Sequence, residues 1–204
     1  MKTPSGTGKR LALIFSITLF SIMGILMAAE PAMPILGRIP DFTLTERSGK
    51  AVRRSDLDGK VWIADFVFTR CAGVCPLMTS RMQGLQEKLR GEPGIRLVSF
   101  SVDPDYDTPA VLSAYAQKFH ADPEKWVFLT GPETVIFRLS EQHFHLGVSE
   151  IPLAERAAAD QPVLHSTKFV LVDQAGRIRG YYDSEDAGAR DSLLRDAASL
   201  LRAG

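Results

Sequence analysis

The chain has 204 residues, of which 45% are hydrophobic, and its 24 basic residues balance its 24 acidic ones. This length fits one domain with an appendage, and the hydrophobic fraction suffices for a buried core. A formal net charge of zero argues against a nucleic-acid-binding protein and against a face that binds polyanions.

The first 29 residues have the pattern of a membrane anchor. Lys2, Lys9 and Arg10 precede residues 11–29, a stretch of 19 residues without a charge. A helix of this length can span a bilayer, and the stretch exceeds the apolar region of about 7–15 residues in a signal peptide. Positive charge before it predicts a cytoplasmic N-terminus and an exported body on the periplasmic-type side of the inner membrane. A cleaved signal peptide and a buried helix are the alternatives.

Hydrophobic periodicity and turn signals predict the elements that follow. The N-terminal part consists of an extended tether over residues 30–36, a short hairpin of residues 41–45 and 51–52, and a turn over residues 55–60. Strands and helices then alternate: a central strand over residues 61–68, a helix over residues 77–90, a strand over residues 95–102, a helix capped by Thr108 and starting at Pro109, a strand over residues 126–131 and a helix over residues 132–143. The chain closes with a hairpin of residues 168–173 and 177–182 and a helix over residues 186–201.

This order predicts an α/β protein with a thioredoxin-like fold. The second long strand runs parallel to the first because a whole helix lies between them. The fold class is therefore a three-layer sandwich with an extra N-terminal β-hairpin, preceded by one transmembrane helix. The predicted domains are the anchor (residues 1–29), the tether (residues 30–36) and the thioredoxin-like domain (residues 37–204). The exported part carries a net charge of about −3 once the three N-terminal cations are left out.

The two cysteines, Cys71 and Cys75, lie together between the central strand and the next helix. Pro76 suits the first turn of that helix, and a helix N-terminus lowers the pKa of a nearby thiol. Two such thiols can form a reversible disulfide or bind a soft metal such as Cu(I) or Zn(II). A structural zinc site needs four ligands, often in two pairs, and the sequence has no second pair. Two small apolar core residues are the plainest alternative.

A third donor is suggested by the topology. If the closing hairpin is antiparallel to the central strand, it begins at the edge where the parallel strands end. His165, three residues before that hairpin, then lies over Cys71 and Cys75. Three-coordinate Cu(I) needs only one such additional donor.

Three segments resemble the Sco/SenC family of membrane-anchored, thioredoxin-like copper chaperones for respiratory oxidase assembly. They are residues 68–76 (FTRCAGVCP), residues 101–109 (SVDPDYDTP) and residues 165–173 (HSTKFVLVD). The resemblance covers roughly residues 36–202 in order. It implies that Cys71, Cys75 and His165 bind one copper ion, as Cu(I) and also as Cu(II). One departure is Leu164, where the family often has Asp.

The implied partners are a cytochrome oxidase subunit or another copper-site protein, a copper donor or thiol reductant, and the membrane through the anchor. A thiol–disulfide oxidoreductase acting through Cys71 and Cys75 is the main alternative, although such enzymes usually carry CxxC. A peroxiredoxin is suggested by Val-Cys-Pro at 74–76, but its motif has Thr where this chain has Ala72. Neither chaperone nor reductase activity is decided by the residues alone.

Several other residues have two interpretations. Met78 and Met82 are spaced for one helix face and are predicted to be core residues rather than ligands. Asp103 and Asp107 either form turns and caps or orient the site loop or a partner. His143 and His145 are candidates for an auxiliary metal or partner site.

Overall fold

The computed structural model describes residues 33–146 and 166–204. The strands are β1 (Gly37–Arg38), β2 (Thr43–Glu46), β3 (Ala51–Arg53), β4 (Val61–Val67), β5 (Ile95–Ser101), β6 (Trp126–Thr130), β7 (Lys168–Val172) and β8 (Arg177–Asp183). The α-helices are α1 (Val74–Lys88), α2 (Pro109–Lys118), α3 (Glu133–Arg138) and α4 (Ala187–Ala203). A 3-10 turn covers Arg54–Leu57, and α3 continues as a π-helical turn, Leu139–His143.

The strands of the described residues form one mixed sheet in the order β1-β8-β7-β4-β5-β6-β2-β3. β4, β5 and β6 are parallel, and the other pairs are antiparallel. All seven residues of β4 are buried, as expected for a central strand covered on both faces. The predicted N-terminal hairpin is confirmed as β2 and β3, which extend the sheet beside β6.

Alternate residues of β4 face two different helix layers. On one face, Phe66 packs against Phe144, which follows the π-helical turn, with ring centroids 5.1 Å apart. On the other face, the carboxylate of Asp65 accepts a hydrogen bond from the hydroxyl of Ser99 of β5. Helix α2 packs on β6 through a contact between the rings of Tyr115 and Phe128. Helices therefore cover both faces, and the predicted three-layer sandwich is confirmed.

Helix α1 lies between two neighbours on its face of the sheet. Its Thr79 hydroxyl hydrogen-bonds the Tyr115 hydroxyl of α2 at 2.8 Å, and its Lys88 pairs with Asp191 of α4 at 3.2 Å. Its buried side is formed by apolar residues at helical spacing, among them Met78 and Met82. The prediction that these methionines are core residues is confirmed, since both are fully buried.

The predicted boundaries shift at several ends. Helix α1 starts at Val74 rather than at residue 77, so that Cys75 and Pro76 belong to its first turn. The strand β1, only two residues long, has no periodicity from which it could be predicted, and it pairs with β8 at the sheet edge. The predicted cap Thr108 is confirmed, since its side chain accepts a backbone N–H of the helix it precedes. Asp186, predicted as the first residue of the last helix, is its N-cap instead, and its side chain accepts the N–H of Gly188.

Two predictions lie outside the described residues: the membrane anchor over residues 1–29 and the position of His165. Within residues 33–146 and 166–204, no helix is long and apolar enough to cross a membrane. Leu36, the last residue of the predicted tether, lies beside the sheet, where its backbone N–H donates to the carbonyl of Ile178 at 2.8 Å.

Candidate metal centre

Cys71 and Cys75 lie where the central strand meets helix α1. After β4 ends at Val67, the chain turns, and the N–H of Cys71 donates to the carbonyl of Phe68 at 3.4 Å. Cys75 is the second residue of α1 and is fully buried, whereas Cys71 is half-buried. Both cysteines are free thiols. The site therefore lies at the carboxyl end of the parallel strands, as the sequence predicts.

The two thiols interact directly, and burial dominates the chemistry of Cys75. Burial raises the pKa of the Cys75 thiol far above its ordinary value. A hydrogen bond from the backbone of Phe68 opposes this shift in pKa, and contacts with Cys71 and the charge of Asp65 reinforce it. The expectation that the helix N-terminus lowers the pKa is therefore wrong for Cys75, because desolvation of the thiolate outweighs the helix. A metal cation near this thiol would supply the missing positive charge.

A loop contact fixes the residues just before Cys71. Thr69 donates its N–H and its hydroxyl to the carboxylate of Asp107, at 3.1 and 2.5 Å, and Ser101 donates its hydroxyl to the same group at 2.6 Å. Burial raises the pKa of Asp107, while these hydrogen bonds act in the opposite direction. Asp107 therefore joins the loop between β4 and α1 (residues 68–73, the cysteine loop) to the loop that follows β5 (residues 102–108).

A second contact joins the same two loops. Arg70 reaches both carboxylate oxygens of Asp103, at 2.5 and 3.2 Å, and its guanidinium lies 5.0 Å from the ring centre of Tyr106. Such bidentate pairs are stronger and more directional than single hydrogen bonds. Of the two interpretations of Asp103 and Asp107, orientation of the site loop is thus the one that the contacts favour. The sequence indicated the acidic pair but not its partners on the cysteine loop.

A buried carboxyl beneath the site was not predicted. Asp65 of β4 is fully buried, accepts the hydroxyl of Ser99 at 2.6 Å, and its second oxygen has no hydrogen-bond partner within the described residues. Burial raises the pKa of Asp65 to about 7, although the Ser99 hydrogen bond opposes the shift. The indole N–H of Trp126 donates to the same Ser99 hydroxyl. The sequence signal for this buried carboxyl is that Asp65 is a charged residue within the otherwise apolar run of residues 61–68.

The remaining candidate ligands are not brought together in the described residues. No group of three His, Cys, Asp or Glu side chains there could hold a metal ion, and His165, the predicted third ligand, lies outside them. Phe144 is buried between His143 and His145, so these two histidines flank a core side chain. The two adjacent soft thiols nevertheless fit copper, which prefers such donors.

A comparison with protein families finds a match between residues 37–202 and the SCO1/SenC family model. Among solved structures, a SCO1/SenC family lipoprotein from Bacillus anthracis is 38% identical, with a TM-score of 0.70, over 80% of this chain and 95% of that one. BsSco, a cytochrome c oxidase assembly protein of the Sco family with an identified disulfide switch, is 33% identical, with a TM-score of 0.71, over 83% and 97%.

A third solved structure contains the metal. ScoI from Bradyrhizobium japonicum, solved with copper bound, is 27% identical to this chain, with a TM-score of 0.59. The match covers 76% of this chain and 97% of that one. The predicted thioredoxin-like core is thus shared with one relative solved with copper bound and with another that has a disulfide switch.

Proposed function

Because the chain belongs to the SCO1/SenC family, we propose that it binds one copper ion through Cys71, Cys75 and His165 and delivers it to a cytochrome oxidase copper centre. The observation that carries the proposal is the pair of free, interacting thiols at the carboxyl end of β4. Two thiolates and one imidazole suit Cu(I) and can also hold Cu(II).

The sheet register supports His165 as the third ligand. β7 pairs with β4 antiparallel, with Val170 opposite Ala64 and Val172 opposite Trp62. In this register, residues that precede Lys168 in the chain run toward the end of β4 that leads into the cysteine loop. The described residues 166 and 167 therefore lie toward the end of β4 that leads into the cysteine loop.

Delivery would proceed by ligand exchange, in which thiolates of the recipient replace those of this protein. Cys71 is half-buried and Cys75 fully buried, so an incoming thiolate reaches the metal from the side of Cys71. Leu77 and Tyr106 are exposed by 47% and 49%, and they lie on the two segments that flank Cys71. Apolar side chains at this rim suit contact with a recipient, which we take to be an oxidase subunit or another copper-site protein.

We further propose that residues 1–29 anchor the domain (residues 37–204) to the inner membrane by one helix, through the tether of residues 30–36. The domain would then face the exported side, where a copper donor or thiol reductant loads or reduces the site. The two cysteines of the sequence are Cys71 and Cys75, so residues 1–29 contain no thiol to which a lipid could be attached.

A second candidate function is thiol–disulfide exchange with partner cysteines. The specific observation is the difference in burial between Cys71 and Cys75, since an accessible thiol can attack and a buried one can resolve the mixed disulfide. In that reaction the partner's disulfide takes two electrons from this dithiol and becomes a dithiol, while Cys71 and Cys75 become joined.

The test is a titration of the reduced full chain in detergent with Cu(I), against a chelator whose Cu(I) complex absorbs visible light. We expect one Cu(I) per chain, loss of binding in Cys75→Ser, and at least about tenfold weaker binding in His165→Asn. His120→Asn is the matched control, because Asn tolerates the φ of +51° at this position. Weak binding that is indifferent to His165, together with efficient reduction of a disulfide substrate, would instead establish the oxidoreductase.

A further inference from the structure

The carboxylate of Asp107 hydrogen-bonds Thr69 of the cysteine loop and Ser101, the last residue of β5. It is fully buried and accepts three hydrogen bonds, two from Thr69 and one from Ser101. Thr69 is held at its backbone and its side chain together, which restricts both translation and rotation of the loop at that residue. A charged acceptor with three donors is among the stronger hydrogen-bonding arrangements in proteins.

Helix capping does not explain this carboxylate. The N-cap of α2 is Thr108, whose hydroxyl accepts the N–H of Val111 at 3.4 Å. The turn of the loop is closed by the backbone, since the N–H of Asp107 donates to the carbonyl of Asp103 at 2.8 Å. The side chain of Asp107 therefore neither caps α2 nor closes the turn, and two of its hydrogen bonds go to Thr69 of the cysteine loop.

Cys71 and Cys75 are held by separate parts of the structure. Cys75 belongs to α1, where its carbonyl accepts the hydroxyl of Thr79 at 2.9 Å and its side chain is buried in the core. Cys71 follows Thr69 by two residues in the loop. The distance between the two sulfur atoms therefore depends on how the loop is fixed against the helix.

We propose that Asp107 is a positioning residue, which holds the Cys71 thiol at the distance from Cys75 that both copper binding and disulfide formation require. The inference rests on the proposed function and adds a residue to it. Two thiolates that bind one metal ion must both lie within bonding distance of it, about 2.3 Å in the case of zinc, and a disulfide needs Cβ atoms about 3.5–4.5 Å apart. A loop that moves by about 1 Å loses part of both.

The test compares substitutions that differ only in the hydrogen bonds they remove. Asp107→Asn keeps the size of the side chain but cannot accept all three bonds, and Thr69→Val removes the hydroxyl while it keeps the backbone N–H. Thr69→Ser restores the hydroxyl and serves as the conservative variant. Asp105→Asn, an exposed carboxylate in the same loop, is the matched control for charge.

Two quantities are measured on the folded full chain, with the melting temperature as a separate record of stability. The first is Cu(I) affinity by chelator competition. The second is the equilibrium with glutathione, in which protein dithiol and oxidised glutathione give protein disulfide and two reduced glutathiones. We expect Asp107→Asn and Thr69→Val to weaken Cu(I) binding by about 10–100-fold and to shift the glutathione equilibrium toward the dithiol by about tenfold, or about 30 mV.

Thr69→Ser and Asp105→Asn should retain both wild-type values. If Asp107→Asn and Thr69→Val lower only the melting temperature, with both equilibria within about twofold of wild type, Asp107 is merely structural and the inference is overturned. If Asp107→Asn does not fold, the comparison of Thr69→Val with Thr69→Ser decides. If the wild type does not bind Cu(I), the proposed function fails, while the glutathione equilibrium still tests the positioning role.

Discussion

The substitution Asp65→Asn tests whether a neutral carboxyl is built into the centre of the sheet. Asp65 is fully buried on β4, and one of its oxygens has no hydrogen-bond partner in the described part of the chain. Burial raises the pKa of Asp65 to about 7, because an isolated carboxylate loses its hydration there. Asn has nearly the same shape, retains an acceptor for the hydroxyl of Ser99 and cannot ionise.

The sign and size of the effect follow from linkage. The folded-state pKa of Asp65 is raised above the unfolded value, so its contribution to stability is complete below about pH 4 and is lost as the pH rises toward 7. Each unit of difference in pKa is worth about 1.4 kcal/mol, and the gap of about three units corresponds to a loss of about 4 kcal/mol. About 3 kcal/mol of this loss falls between pH 4.5 and pH 8.

The assay is urea denaturation of the reduced, metal-free wild type and Asp65→Asn at several values of pH between 4.5 and 8. We expect the difference in the free energy of unfolding to change by about 3 kcal/mol in favour of Asn across this range. Any constant cost of placing an amide at this position cancels from the slope. Asp105→Asn, on the surface, should show no such slope. A difference between wild type and Asp65→Asn that is independent of pH would refute a raised pKa for Asp65.

Two further predictions concern the core and an ion-pair cluster. Phe144→Ala should lower the free energy of unfolding by about 3–5 kcal/mol, because this buried ring packs among other aromatic rings. Urea denaturation measures the loss, and a loss below about 0.5 kcal/mol, as at surface positions, would contradict this packing role. Asp173→Asn should cost about 3 kcal/mol at neutral pH, because it breaks ion pairs with Arg177 and Arg179, each at 2.8 Å. Burial raises the pKa of Asp173, but hydrogen bonds from both arginines lower it overall. This contribution is therefore present at neutral pH and is lost as the pH falls through the lowered pKa, so a cost of Asp173→Asn that persists undiminished in acid would contradict the assignment.

Patterns along the chain predict the fold well because they are local. Six apolar residues and one carboxyl in seven consecutive positions predict β4, and Pro76 predicts the first turn of a helix; the structure confirms both. The antiparallel β7–β8 hairpin follows from two strands separated by a short turn. Each of these signals depends on residues close together in sequence, which periodicity detects.

The contacts that shape the candidate site are not local and escape such patterns. Thr69 and Asp107 are 38 residues apart, and only the parallel pairing of β4 with β5 brings them together. The effect of burial on Cys75 likewise depends on the side chains packed around it, whereas the sequence shows only its place at a helix N-terminus. Local rules therefore indicate the cysteine pair and the two loops beside it, whereas the tertiary structure determines their contacts and their burial.

The unequal burial of the two cysteines bears on how a carrier could both hold and release copper. Burial favours the neutral thiol of Cys75, so metal-free Cys75 keeps its proton, and loading must displace it. Cys71 is half-buried and lies on a loop that hydrogen bonds to Asp107 and Asp103 help to hold. In the proposed transfer, exchange therefore starts at Cys71, and reprotonation of Cys75 favours the final departure of the metal. Loosening the loop should weaken retention before it affects the fold, and the Thr69 variants separate these two effects.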